Sequence, residues 1–343
     1  MKKRELLAIG MAVAFSFTAL AGCGTSQNNQ STKSNQSSQS NTESNGGTTT
    51  SGKEEGGKKF AYCTSTLNNP FMTTIGDALK EACEKKGDSL AIYDPQYDQA
   101  KQISQIEDAI IQGVDGIFLL PVDSDGVKTV LQMAKEKGVP VIALDNPVTD
   151  VDLVKANIAS DNYNAGYIVG EEMIKDFPDG AKIAVIDSPT MVACVDRFEG
   201  FKAALEKAGM TDKFEICAQQ DAQASLEKAM PIADNMIQAN PDIQAFYGIN
   251  DPTALGIIAA LQAAGKLEGI KIYGVDGSPD GKAGIKNGTL QMTAAQSPVG
   301  IAQTSYENMV KVLNGATIEK DIKVDTFKID KDNVDEYGID GWQ

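Results

Sequence analysis

From residue 59 onward, short apolar and β-branched runs alternate with longer stretches in which apolar positions recur every three or four residues. A strand buries alternate side chains on each face and a helix buries one stripe, so the two periods separate the elements. Residues 60–63 and 89–93 predict strands, with a helix over 71–86 between them. Residues 99–112 predict a second helix carrying Ile103, Ile106, Ile110 and Ile111 on its buried face. Residues 116–120 (GIFLL) and 141–144 (VIAL) are apolar throughout, the pattern of strands covered on both faces in a parallel sheet. A helix over 125–137, stopped by Gly138, joins them. A second series starts near Asn164, with strands predicted at 182–186, 214–218, 245–248 and 271–275 and one helical stretch between each pair. Strand–helix–strand order run through twice specifies an α/β chain with parallel sheets.

Polar and turn-forming residues gather after the strand ends, at 65–69, 121–123, 145–147, 250–252 and 276–279. Open parallel sheets bind ligands beyond the carboxyl ends of their strands, so these loops are where a site is expected.

The segment before residue 59 reads as an address. Lys2, Lys3 and Arg4 precede an uncharged apolar run over 6–20, the layout of a signal peptide and too short to span a bilayer comfortably. The run ends in Leu20-Ala21-Gly22-Cys23, which resembles the lipobox of bacterial lipoproteins and implies that Cys23 carries the lipid. Residues 24–57 are mostly Ser, Asn, Thr, Gln and Gly, a composition that cannot bury enough apolar surface to order. Such a tether reaches roughly 30 Å by flexible-linker scaling. A long tether beside a lipobox points to the outer face of a single cell membrane, or to the periplasmic side in a two-membrane envelope.

Composition narrows the chemistry. At 343 residues the chain is long enough for two lobes. A net charge of −16 repels nucleic acid and anionic lipid. The chain has no histidine, which removes Ser-His-Asp and Cys-His nucleophiles and His-based zinc sites together. Cys63, Cys83, Cys194 and Cys217 form no C-x-x-C pair; three of them fall inside apolar patterns, so buried free thiols are expected over disulfides. The acidic stretch 330–335 lacks the Gly and Glu of a calcium loop and reads as a solvated tail. The Gly-rich stretch 274–281 lacks the G-x-G-x-x-G spacing for phosphate.

Seven motifs lie on the loops: STLNNPF at 65–71, ALD at 143–145, IASDN at 158–162, RFEGF at 197–201, IND at 249–251, GVDGSPDG at 274–281 and AAQSP at 294–298. With them the chain from about Lys59 to Ile329 resembles the ribose-binding type of periplasmic sugar-binding proteins. The resemblance implies a periplasmic binding protein type I fold: two similar doubly wound parallel-sheet lobes joined by a multi-strand hinge that the chain crosses three times. The boundaries it implies are 1–22 for the signal peptide, 23–57 for the lipidated Cys and tether, 58–160 plus 297–325 for the N-terminal lobe, and 161–296 plus 326–343 for the C-terminal lobe. On matching positions, Ser65, Asn69, Phe71, Met72, Asp145 and Asn146 would line the site from the first lobe, and Arg197, Asn250, Asp276 and Gln296 from the second lobe and hinge. These residue types suit a polyol, since carboxylates accept from hydroxyls, Arg donates, amides do both and a ring packs on a C–H face.

The chain departs from the ribose pattern at Met72, Ala224 and Val275, where rings are usual, and at Asn146, where an Arg is usual. A roomier pocket with fewer donors follows. Taken singly, Asp145-Asn146-Pro147 reads as a turn, Asn250 and Asp276 as caps or turns, Arg197 as a surface partner of Glu199 and Phe71 as core.

The expected role is that of an extracytoplasmic solute-binding lipoprotein for an ABC permease, monomeric, without cofactor, metal or enzymatic activity, holding a small sugar or polyol. Two alternatives remain open at this point: presentation of the ligand to a membrane sensor or chemoreceptor, and a surface glycoside-acting enzyme using Asp145 and Asp276 as an acid–base pair.

Overall fold

The structure is a computed structural model and describes residues 57–343. The apolar run 6–20, Cys23 and the tether up to residue 56 lie outside the described residues.

The first series gives β1 (Lys59–Cys63), α1 (Pro70–Glu84), β2 (Ser89–Tyr93), α2 (Gln99–Ile111), β3 (Gly116–Leu119), α3 (Lys128–Glu136), β4 (Val141–Leu144) and β5 (Ala156–Ser160). The second gives α4 (Asn162–Asp176), β6 (Ala181–Asp187), α5 (Val192–Lys207), β7 (Phe214–Asp221), α6 (Leu226–Ala239), β8 (Ala245–Gly248), α7 (Asp251–Ala263), β9 (Lys271–Asp276), α8 (Pro279–Lys286) and β10 (Met292–Ala295). Then come α9 (Pro298–Leu313), β11 (Asp321–Val324), β12 (Phe327–Asp330) and α10 (Val334–Tyr337).

Two six-stranded sheets result, ordered β11-β5-β4-β3-β1-β2 and β12-β10-β9-β8-β6-β7. Apart from the outermost strand, the second order repeats the first shifted by five strands, and all these pairs are parallel. The outermost strands differ: β11 runs parallel to β5, and β12 antiparallel to β10. The chain passes from one sheet to the other after β5, after β10 and between β11 and β12.

Period two explains why the central strands of each sheet are dry on both faces, while the edge strands β2, β7 and β11 are partly exposed. Phe60, Tyr62, Phe118, Ile142 and Leu144 face one cluster with α1 and α9, while Ala61, Cys63, Ile117, Val141 and Ala143 face another with α2 and α3. In the second sheet, Ile183 and Val185 pack under α4 and α5, and Ala184 and Ile186 under α6 and α7. Each fully buried Ile or Leu contributes about 1.5–3 kcal/mol.

Three sequence expectations change. Ile111 is 74% exposed rather than on the buried face of α2. The position that faces inward is Gln102, whose amide donates to Thr64 O (2.8 Å) and Leu120 O (2.9 Å) and accepts from Val122 N (2.9 Å). A fully satisfied buried amide ties together the loops after β1 and β3. The helix expected from 125 starts at Lys128, because Asp123 accepts from the N–H groups of Asp125 and Gly126 and holds a turn there. The stretch 330–335 is not a solvated tail: Asp330 ends β12 with its carboxylate 2.6 Å from Lys328 Nζ, and Val334 is buried in the core under α8.

Candidate functional site

The carboxyl ends of the strands of both sheets converge on a cavity of about 360 Å³. Asn69 reaches it from the loop after β1, Asp145 from the end of β4, Asn250 from the end of β8, Asp276 from the end of β9 and Gln296 from the end of β10. A larger groove of about 520 Å³ lies at the amino ends of β1 and β2, away from the strand ends where the motif residues gather, and there the Tyr306 hydroxyl already donates to Asp88 (2.6 Å).

Two carboxylates sit on strained backbone. Asp145 has φ +62° and Asp276 φ +134°, conformations that favour Gly, and such strain concentrates at ligand sites. Ala224, with φ +53°, lines the same cavity.

Arg197 is the cationic centre. It is buried on α5, donates from Nε to Asn162 Oδ1 (2.9 Å) and from Nη1 to Ile249 O (3.1 Å), and stands 3.5 Å from Asp276 Oδ1. It does not pair with Glu199, which meets Lys202 instead. Close packing of α4 against α5 sets this geometry. A Cβ on Gly166 would lie 1.7 Å from Arg197 O, and one on Gly200 1.9 Å from Tyr163 O, so only glycines let the two backbones approach. That approach brings Asn162, at the start of α4, within reach of the guanidinium.

The β9 loop is held from below by Asp251, fully buried at the start of α7. Its carboxylate accepts from Ser278 N (2.8 Å), Ser278 Oγ (2.7 Å) and Thr293 Oγ1 (2.7 Å). Asp276 accepts from Gln296 Nε2 (2.8 Å), which leaves Gln296 Oε1 buried without a partner among the described residues.

Burial raises the pKa values of these acids. Asp145 is pushed up to about 6 by desolvation, opposed by Arg197 and reinforced by Asp276. Asp276 is raised by burial against the pull of Arg197 and its hydrogen bond from Gln296. Asp251 is raised by burial and by its neighbour Asp276, opposed by its hydroxyl donors.

Of the ten residues expected at the site, eight line this cavity: Asn69, Phe71, Met72, Asp145, Arg197, Asn250, Asp276 and Gln296. Several also serve locally. Asn69 caps α1 through Phe71 N (2.9 Å), and Asn250 caps α7 through Thr253 N (3.0 Å) while donating to Ala224 O (3.2 Å). Phe71 belongs to the first lobe's core as well as to the wall. Ser65 does not reach the cavity; its hydroxyl donates to Met72 Sδ (3.2 Å) from behind. Asn146 is also absent from the lining, its backbone turned by an N–H bond to Leu144 O (2.7 Å). Val275 is core, so the ring missing there does not enlarge the cavity. Sequence reasoning missed Asn162, Cys194, Ser278, Asp280 and Trp342; only Asn162, Ser278 and Asp280 lay within a recognised motif.

The four cysteines of the described residues are free, and Cys63, Cys83 and Cys194 are buried. Among the described residues no group of His, Cys, Asp or Glu fits a metal ion, and no helix is long and apolar enough to cross a membrane.

A family model described as "Periplasmic binding protein domain" matches residues 60–317. The chain belongs to the periplasmic binding protein family. This periplasmic binding protein is 35% identical over 266 residues to the ribose import binding protein of Salmonella typhimurium, covering 77% of this chain and 88% of that one. It is 33% identical over 259 residues to the ribose import binding protein of Bacillus subtilis, covering 75% and 82%. Among solved structures it is similar to an ABC transporter solute binding protein from Bacillus halodurans with bound myo-inositol, at TM-score 0.75 and 29% identity, covering 83% of this chain and 98% of that one. The family consists of non-enzymatic transport components, which removes the reading of Asp145 and Asp276 as an acid–base pair.

Proposed function

We propose that this periplasmic binding protein captures a small neutral sugar or polyol between two hinged lobes and delivers it to an ABC importer. The carrying observation is the set of polar groups that converge on one cavity from the strand ends of both sheets: the carboxylates of Asp145 and Asp276, the guanidinium of Arg197 and the amides of Asn69, Asn250 and Gln296. A ligand hydroxyl that donates to an ionised carboxylate such as that of Asp145 contributes about 1.5–3 kcal/mol. Arg197 and the amides of Asn69 and Asn250 supply donors, and Phe71 and Met72 supply apolar wall. Three acids, Asp145, Asp276 and Asp280, line the cavity with one arginine, a balance that disfavours sugar acids and phosphates.

In this reading the lobes are 58–160 with 297–325 and 161–296 with 326–343. Asn69, Phe71, Met72, Asp145, Arg197, Asn250, Asp276 and Gln296 contact the ligand, while Ser65 acts by seating Met72. A thermal-shift and calorimetry screen with D-ribose, D-allose, myo-inositol and D-fucose tests it: a ligand at a hundred times its Kd raises stability by about 2.7 kcal/mol. Sugar acids binding while every neutral polyol fails would sink the proposal. The lipid anchor is a further part of the reading, carried by Leu20-Ala21-Gly22-Cys23. Cys23→Ser should release the protein from membranes into the medium or periplasm, and unchanged membrane fractionation would refute the anchor.

A further inference from the structure

We infer that residues 341–343 form a latched strap that completes the cavity, with Trp342 as a second aromatic platform for the ligand; the ligand half of this inference rests on the sugar or polyol reading above. Trp342 lines the cavity and stands edge-on to Phe71, with ring centroids 5.4 Å apart at 81°. Its neighbours on both sides are tied down. Lys282, on α8, is fully buried, and its ammonium donates to Gly341 O (2.6 Å) and Gln343 Oε1 (3.2 Å). A buried ammonium persists only where acceptors replace its water, and these two are the acceptors it has among the described residues. Gln343 Nε2 donates to Gln296 O (2.6 Å) and Asp276 O (3.4 Å), and Ser297 Oγ donates to Gln343 O (2.7 Å). Gly277 leaves the room required, since a Cβ there would lie 2.3 Å from Gln343 Nε2.

The strap is therefore anchored on the same two residues, Asp276 and Gln296, that offer polar groups to the cavity, and its ring reaches across to Phe71 of the first sheet's core. A ring so placed supplies a flat apolar surface at the wall where Met72 and Ala224 offer none. Separating the lobes breaks either the Phe71–Trp342 contact or the Gln343 anchors, so the strap favours the closed arrangement. Lys282 is a positioning residue, acting through Gly341 and Gln343.

The chain contains a single tryptophan, so its emission reports Trp342 alone. With myo-inositol, D-allose and D-ribose as probes, a sugar that binds by calorimetry should change that emission saturably with the same Kd. Trp342→Ala should weaken binding at least fivefold, and Trp342→Phe should restore most of the loss. In the ligand-free protein, acrylamide should quench Trp342 weakly, and Lys282→Met should raise the quenching toward that of a free indole while circular dichroism shows the fold retained. Where Lys282→Met does not fold, deleting the Gln343 anchors with Gln343→Ala reads the same quenching. A probe that binds without altering the emission, and with unchanged affinity in Trp342→Ala, overturns the platform while leaving the sugar reading intact. If no probe binds, the sugar reading fails and the platform fails with it; the latch then stands or falls on quenching alone, and a freely quenched indole in the parent protein overturns it.

Discussion

Ligand affinity should fall as the solution is acidified through the titration of Asp145, and Asp145→Asn should abolish that part of the dependence. The half-buried carboxylate is held at about 6 by desolvation, with Arg197 lowering and Asp276 raising it. A raised carboxyl pKa means that the empty folded protein binds the proton more tightly than the unfolded chain. The associated stability is present below the ordinary aspartate value and is lost as pH rises through about 6. Hydroxyls that donate to the ionised oxygen reverse this preference, so binding and protonation compete. If only the ionised form binds, the apparent Kd scales as one plus the ratio of protonated to ionised carboxyl, about 1 at pH 8 and about 11 at pH 5. The expected change is roughly tenfold in Kd. Titration calorimetry at pH 8, 7, 6 and 5, with a polyol that binds the parent, measures it. Asp145→Asn should bind roughly 10–150-fold more weakly at pH 8, the equivalent of about 1.5–3 kcal/mol for hydrogen bonds to a charged group, and with a shallower slope. Asp276 and Asp251 remain in that variant and are also raised by burial, so the residual slope is theirs. A Kd constant within twofold from pH 8 to pH 5, or a full tenfold dependence retained in Asp145→Asn, would refute the placement of Asp145 against the ligand.

Arg197→Met leaves Asp276 without its cation and strands Asn162 Oδ1 and Ile249 O, so scanning calorimetry should show a loss of about 3–5 kcal/mol together with loss of saturable binding. An unshifted Tm would contradict the buried role. Gly166→Ala must push α4 off α5, costing about 1–3 kcal/mol and weakening binding through Arg197; a variant with parental stability and affinity would show that the helices tolerate the extra carbon. Cys63, Cys83 and Cys194 should resist a thiol reagent in the native protein and react after unfolding, since burial raises their thiols to about 12, 12 and 11. A reductant that lowers Tm would point instead to a disulfide among them.

Much of the fold was legible because the two central strands of the first sheet are apolar throughout, a pattern that surface elements do not share. Four strands, β5, β10, β11 and β12, went unread, and two of them show why. Residues 292–295 (MTAA) are short and rich in small side chains, and residues 321–324 (DIKV) occupy an edge where alternation is polar on one face. On α2, the periodicity of isoleucines outweighed the buried glutamine that the two loops require, because a hydropathy stripe carries no record of which backbone groups need partners. At the site, Asp145, Asn250 and Asp276 could be located by their position after strands. Trp342 could not, since it follows every recognised motif and reaches the cavity only through the anchors of Lys282 and Gln343. The inward direction of Ser65 depends on where Met72 packs, which no local pattern specifies.

Strand β11 pairs with residues as early as Asn157, and β12 then closes the other sheet against β10 after only Asp325 and Thr326. A nascent chain released before residue 321 would carry two sheets, each with a bare rim of amide and carbonyl groups open to neighbouring molecules. Neither half can therefore be expressed as a finished module. Final consolidation of both waits for one short ribbon synthesised late, and truncated gene products should precipitate.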